Sequence, residues 1–187
     1  EFKSMVKEII EYALDQYNKH YKNTYKDTSF VLYQKYTYED ACRLLNWQQN
    51  EVPLNIGGYK YDQTTKTFPV FINYDKANDI QDTIKYEDHF INESQLIAIS
   101  KSGRTTSSDD VQNFLYAKER GIEVHLFVRK NKDDKTSKEF YYLGNMQAEI
   151  DKTKQFMMPN TQKTAVEILW QLDTPVREDI YRYIVEE

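Results

Sequence analysis

The stretch GGYKYD at residues 57–62, with the apolar run TFPVFINY at residues 67–74, organises this chain. Two glycines end a loop, and Tyr59 and Asp62 then follow three positions apart in an extended segment. Because a short polar stretch at 63–66 separates two apolar and aromatic runs, the pattern predicts a β-hairpin. An aromatic ring and a carboxylate beside a glycine loop can hold a flat polar ring, since the aromatic stacks on it and the carboxylate accepts from its exocyclic amine. A cytosine flipped out of a duplex is such a ring.

The composition indicates one ordered domain with an acidic balance. The 187 residues suffice for a real core, and five glycines and four prolines are too few for a linker. The net charge of −5 argues against a broad basic surface of the kind that coats nucleic acid, although a local basic face is still compatible with it. The single cysteine, Cys42, excludes an internal disulfide and favours an intracellular setting.

Motifs for catalysis and for metal binding are missing from the sequence. It contains no P-loop, no His-Glu-x-x-His, no Cys-x-x-Cys and no Gly-x-Ser-x-Gly elbow, and its three histidines are scattered. We therefore expect a binding domain without catalytic residues, metal or cofactor. A hidden nuclease is an alternative, which would need a carboxylate cluster and a divalent metal. No apolar run approaches the roughly 18–20 residues of a membrane span, and no signal peptide is recognisable. Since the chain starts Glu-Phe without an initiator Met, we expect a fragment of a longer protein.

Hydrophobic periodicity predicts an α+β fold. Residues 1–30 are expected to form a helix (2–20) and a connector, and residues 31–187 a single globular domain. Within it we expect helices at about 38–50, 108–120 and 177–185, and strands at 67–74, 95–100, 122–128, 140–144 and 164–172. The strands are expected to connect as hairpins and meanders, which favours a curved sheet or small β-barrel flanked by helices over a parallel sheet.

A second candidate segment is the loop at 100–107, which follows a predicted buried strand. Lys101 and Arg104 supply positive charge, Gly103 allows close backbone approach, and a helix begins directly after the loop. We expect this loop to contact the DNA backbone or to fill the space that a flipped base leaves. The residues assigned to this role are Lys101, Ser102, Gly103, Arg104, Thr105 and Ser107. The alternative is an ordinary solvated loop.

The GGYKYD stretch resembles the SRA family, whose members read 5-methylcytosine. In that family a Gly-Gly-Tyr precedes an acidic stretch, the Tyr stacks on the flipped base, and an Asp three positions later reads its Watson–Crick edge. The resemblance implies a base pocket of Gly57, Gly58, Tyr59 and Asp62, with Phe71 as the second stacking aromatic and Tyr74 as its alternative. Asn50 and Lys60 are weaker candidates. The sequence departs from the family at Lys60 and Tyr61, where acidic residues are usual.

A wider resemblance covers nearly the whole chain. The segments FVLYQKY (30–36), LLNWQQN (44–50), GGYK (57–60), YEDHF (86–90), SKSGRT (100–105) and YYLG (141–144) are similar to the DUF3427 domain. This domain follows nuclease and helicase domains in bacterial type IV restriction endonucleases of the SauUSI type, which use ATP and cut DNA bearing 5-methylcytosine or 5-hydroxymethylcytosine. The resemblance implies an SRA/PUA-like modified-base reader. Its partners would be modified duplex DNA and the upstream helicase and nuclease domains, in the bacterial cytoplasm and away from membranes.

Structural interpretations of the same residues are also open. Tyr59 and Phe71 could be core aromatics, and Asp62 could be a turn-former. The domain would then be a protein-interaction or regulatory module of a helicase-nuclease. If the pocket exists, a carboxylate favours cytosine over thymine, because cytosine presents an amine donor where thymine presents an acceptor. Burial of the 5-methyl group adds only about 0.8 kcal/mol.

Overall fold

The computed structural model describes residues 2–49, 56–74, 87–130, 137–159 and 161–186. These residues form five α-helices: α1 (Phe2–Tyr21), α2 (Tyr38–Leu44), α3 (Asp109–Leu115), α4 (Ala117–Arg120) and α5 (Glu178–Val185). They also form a 3-10 turn (Ile150–Lys152) and eight strands: β1 (Lys35–Tyr36), β2 (Thr67–Tyr74), β3 (His89–Asn92), β4 (Gln95–Ile99), β5 (Glu123–Lys130), β6 (Phe140–Ala148), β7 (Lys154–Met157) and β8 (Thr164–Leu172). None of the helices in these ranges combines the length and the apolar character needed to span a bilayer.

The eight strands form one open, curved sheet, which confirms the predicted α+β class. Its main path runs β2-β5-β6-β8-β4-β3, with β1 added to β6 and β7 to β8. The expectation that strands connect only as hairpins and meanders was wrong for one pair, since β2 and β5 run parallel, from Thr67 beside Glu123 to Tyr74 beside Lys130. A parallel pair needs a long crossover, and the chain between these strands supplies it. Because the sheet curves, β2 and β4 lie on either side of a gap, which we call the seam.

Alternation along β2 sends successive side chains to two different cores. Phe68, Val70 and Ile72 enter the main core, which they share with Phe114 and Trp170. The ring of Phe71 enters a second, aromatic core, which includes Phe30, Phe127, Phe140 and Tyr142. Because both faces of β2 are covered, the strand is buried along nearly all of its length.

The predicted hairpin at 59–74 is present. Tyr59 pairs with Val70 and Asp62 with Thr67 through isolated antiparallel bridges. The turn between them closes at Lys66, which has a positive φ of 54°. This arrangement places the glycine loop along the free edge of β2.

Two predicted helices are shorter than expected. Thr37 and Asp40 form the reciprocal hydrogen bonds of a capping box at the start of α2. The helix ends at Leu44 and not near 50, because Asn46 takes a left-handed φ of 59°. Beyond the end of α2, the indole Nε1 of Trp47 donates a hydrogen bond to Thr67 Oγ1 at 2.8 Å.

The helix predicted over 108–120 is divided into α3 and α4. Tyr116, with φ −109°, interrupts it, and Gly121, with a left-handed φ of 65°, ends α4. Ser108 takes the N-cap position of α3, but its side chain makes no capping hydrogen bond to that helix. It instead accepts from Thr105 N at 2.9 Å, which fixes the loop before the helix.

Candidate functional site

A cavity of about 240 Å³ lies at the seam between β2 and β4. The glycine loop and β2 form one wall, β4 and the segment after it form the other, and α3 and β8 contribute aromatic and aliphatic side chains. The lining residues are Gly57, Gly58, Tyr59, Val70, Phe71, Ile72, Asp88, Ala98, Ile99, Ser100, Lys101, Phe114, Ile168 and Trp170. A mostly apolar cavity with a few polar groups is the usual form of a small-molecule or base site.

Tyr59 links the glycine loop to α3 across this cavity. Its side chain is 7% exposed, and its ring packs edge-on against Phe68 and Phe114. The hydroxyl donates to Asp110 Oδ2 and accepts from Lys101 N, both at 3.0 Å. Burial raises the pKa of Tyr59 above its ordinary value, so the phenol is protonated at neutral pH and can donate.

Lys101 closes the mouth of the seam. Its Nζ donates to Ile56 O at 3.0 Å and to Tyr59 O at 2.8 Å, and it lies 4.5 Å from the centroid of the Tyr59 ring. Burial, and then the charge of Arg104, lowers the pKa of Lys101. The ammonium therefore covers one face of Tyr59, and a base stacked on that face would displace it.

The two glycines are required by the backbone of this loop. Gly57 and Gly58 have φ of 52° and 92°, which other residues rarely adopt. Gly58 O accepts from Phe71 N at 2.6 Å, which holds the loop against β2. A Cβ at Gly57 would lie 3.7 Å from Lys101 Nζ, so this position also leaves room for the lysine.

The structure does not bring the other predicted base-pocket residues into the same cavity with their side chains. Asp62 lies in the hairpin turn, where its Oδ2 accepts from Thr65 N and Thr65 Oγ1 at 2.7 and 2.8 Å. The ring of Phe71 stacks on Phe127 in the aromatic core, at 4.7 Å between centroids, on the opposite face of β2 from Tyr59. Tyr74 lies on the same side as Tyr59 but beside Phe90, outside the cavity lining.

Asp88 is a cavity residue that sequence reasoning missed. It immediately precedes β3, and its Oδ1 accepts from Ile99 N at 2.7 Å. Burial raises the pKa of this carboxyl to about 6, against the effect of the backbone hydrogen bond. The available signal was its position in the YEDHF segment, one of the segments that are similar to the DUF3427 domain. Phe114, Ile168 and Trp170 were also missed, since each appears in the sequence as an ordinary core residue.

The 100–107 loop is firmly attached at the rim of the cavity. Arg104 Nε donates to Asp110 Oδ2 at 2.6 Å, Gly103 N donates to Thr164 O at 2.7 Å, and the Thr105 and Ser107 hydroxyls bond each other at 2.9 Å. Ser102, Gly103 and Ser107 are exposed. The loop thus offers exposed backbone and hydroxyls, while its two cations are engaged within the protein.

Of the two weaker base-pocket candidates, Lys60 and Asn50, only Lys60 lies within the described residues. Lys60 is partly exposed next to the glycine loop, and its charge contributes to the lowered pKa of Lys101. Asn50 lies outside the described residues. Across the described ranges, no three His, Cys, Asp or Glu side chains are grouped so that they could bind a metal.

Residues 30–184 match the family model described as "Domain of unknown function (DUF3427)". The chain belongs to the DUF3427 family. Among curated protein sequences, none matches this DUF3427 domain.

Solved structures of SRA domains share the fold. One is the SRA domain of SUVH5 in complex with hemi-methylated CG DNA, with a TM-score of 0.51 and 12% identity over 83% of this chain and 96% of that one. Another is KRYPTONITE in complex with methylated CHG DNA and SAH, with a TM-score of 0.50 and 10% identity over 80% of this chain and 33% of that one. At this identity the likeness establishes that the DUF3427 domain has an SRA-like fold.

Proposed function

We propose that this DUF3427 domain binds duplex DNA containing 5-methylcytosine or 5-hydroxymethylcytosine and holds the flipped base in the seam cavity. The observation that carries the proposal is the cavity itself. It lies between the glycine loop and β4, combines Tyr59 with polar groups at its rim, and occurs in an SRA-like fold. The SUVH5 and KRYPTONITE structures of that fold contain methylated DNA, which supports the same ligand class here.

In this mechanism the cavity residues divide into an apolar interior and a polar rim. Tyr59 provides an aromatic surface for the base once Lys101 leaves its ring, and Ile168 and Trp170 provide apolar contact. Lys101, when it moves outward, can meet a phosphate. Release of Lys101 from Ile56 O and Tyr59 O would therefore couple backbone contact to opening of the pocket.

The domain would act as a targeting module of a larger enzyme. We propose that it directs the helicase and nuclease domains of an ATP-dependent type IV restriction endonuclease to modified DNA, without a cofactor or catalytic group of its own. The second candidate function is protein interaction, and α1 favours it, because apolar side chains of this helix including Phe2, Ile9 and Tyr17 are exposed.

The test is binding of this chain to one duplex in three versions, unmodified, 5-methylcytosine and 5-hydroxymethylcytosine, at fixed salt. The modified duplexes are expected to bind more tightly, by about fourfold if methyl burial alone contributes. Ala98→Leu places a larger side chain in the cavity and should abolish this preference. Ala148→Leu is the matched control, since it fills a different cavity near Ile122 and Asp173.

Equal binding of all three duplexes by the wild-type chain would overturn base-specific recognition and leave protein interaction as the function. Equal loss of preference in Ala98→Leu and Ala148→Leu would show that the effect is one of general packing and not of the seam cavity.

A further inference from the structure

Asp88 brings a carboxylate into the seam cavity. Among the described residues that line the cavity, it is the one with a carboxyl group. Its Oδ1 is held by Ile99 N at 2.7 Å, and its Oδ2 makes no hydrogen bond to another described residue. One oxygen therefore fixes the orientation of the group, and the other is left to accept from a ligand.

Asp62 has the opposite arrangement. Its Oδ2 already accepts from the backbone and the hydroxyl of Thr65, and its backbone N–H bonds Thr67 O at 3.0 Å. The residue closes the hairpin turn and does not line the cavity. Recruiting Asp62 to a base in the cavity would break this turn.

We propose that Asp88, and not Asp62, accepts a hydrogen bond from the 4-amino group of the flipped modified cytosine and so selects a cytosine ring over a thymine ring. The inference rests on the proposed function and names the specificity residue of that site. Cytosine presents a donor at its 4-position, whereas thymine presents a carbonyl acceptor, which a carboxylate would repel.

The environment of Asp88 makes this selection effective. The group is partly buried beside apolar residues such as Ala98 and Ile168, where hydrogen bonds to a charged acceptor are stronger than in water. Burial raises its pKa, Glu87 raises it further and His89 lowers it. Burial disfavours the ionised carboxylate, and a hydrogen-bond donor stabilises it. The amine of a base in the cavity would therefore favour the charged form of Asp88.

The experiment compares two bases that differ at the 4-position and both carry the 5-methyl group. Duplexes with 5-methylcytosine opposite guanine and with thymine opposite guanine are bound to the 187-residue chain, as wild type, Asp88→Asn, Asp62→Asn and Asp151→Asn. The mismatched thymine flips more easily whichever variant is used. The quantity to compare is therefore the affinity for the 5-methylcytosine duplex divided by the affinity for the thymine duplex, expressed relative to the same ratio for the wild type. Asp151→Asn changes the net charge equally at an exposed position.

Asp88→Asn should lower the ratio by about 10- to 100-fold, because its amide can donate to the thymine carbonyl while a charged acceptor for the amine is lost. Asp62→Asn and Asp151→Asn should leave it within about twofold. A fall with Asp62→Asn as large as that with Asp88→Asn would overturn the assignment while leaving base recognition intact. A wild-type chain that binds modified and unmodified duplexes equally would instead overturn the proposed function.

A measurement on the wild-type chain tests the role of Asp88 without any substitution. The ¹³Cγ resonance of Asp88 should shift when the 5-methylcytosine duplex is added, while that of Asp62 stays in place. An unchanged Asp88 resonance in the bound state would contradict the proposal.

Discussion

The carboxyl group of Asp88 is costly to ionise in the folded chain, because burial raises its pKa from 3.8 to about 6. Between these values the folded chain binds more protons than the unfolded chain, so the free energy of unfolding falls as the pH rises. Asp88→Asn should therefore be as stable as wild type near pH 4 and more stable by about 1–3 kcal/mol near pH 8. Urea unfolding at both pH values measures this, with Asp151→Asn as the control. A difference that does not depend on pH would contradict the raised pKa.

The contribution of the Tyr59 hydroxyl to stability can be measured separately from that of its ring. Tyr59→Phe keeps the ring but removes the bonds to Asp110 and to Lys101 N, so stability should fall by about 1–3 kcal/mol. Tyr61→Phe is the matched control, because the Tyr61 hydroxyl makes no hydrogen bond to a described residue. Equal urea midpoints for the two variants would show that the link between the glycine loop and α3 contributes no stability.

At the scale of elements, the capping box of α2 gives a direct prediction. Thr37→Ala removes the acceptor for Asp40 N and should lower the free energy of unfolding by about 1 kcal/mol. Thr106→Ala changes an exposed threonine whose hydroxyl bonds no described residue, and it should change stability by less than about 0.5 kcal/mol. Thermal or urea unfolding of both variants tests this, and an unchanged Thr37→Ala would argue that the helix start is held by packing alone.

Sequence patterns predicted the elements that carry strong periodicity, including α1, β2, β4, β5 and β8. The strands β3 and β7 were not predicted, because four residues are too few for a period to be recognised. The parallel pairing of β2 with β5 joins residues 56 positions apart and leaves no local signal. For the same reason Asp88 was not recognised as a cavity residue: its position depends on β3 pairing with β4, and β4 with β8. The hairpin that contains Tyr59 was predicted from sequence because its signal is local.

At the scale of the whole molecule, net charge limits how strongly the proposed DNA ligand could be held. The chain carries a net charge of −5, and the cations near the cavity are Lys60, Lys101 and Arg104 in the described ranges. With about three phosphate contacts at most, affinity for modified duplex should fall by roughly 40-fold or less between about 50 and 200 mM salt. Fluorescence anisotropy over this range measures the slope. A much steeper loss of affinity would indicate a larger basic face. The salt dependence of the Lys138→Gln variant, which removes one exposed cation, is measured for comparison.

The strand β8 pairs with β4, β6 and β7 and supplies Ile168 and Trp170 to the cavity, yet it is the last of the described strands in chain order. During translation the N-terminal part of a domain leaves the ribosome first. A nascent chain that has not yet reached residue 164 has the glycine loop, Lys101 and Asp88, but β4 has no β8 beside it. Such a chain lacks Ile168 and Trp170 at the cavity, so the proposed DNA binding would begin only after β8 has been synthesised.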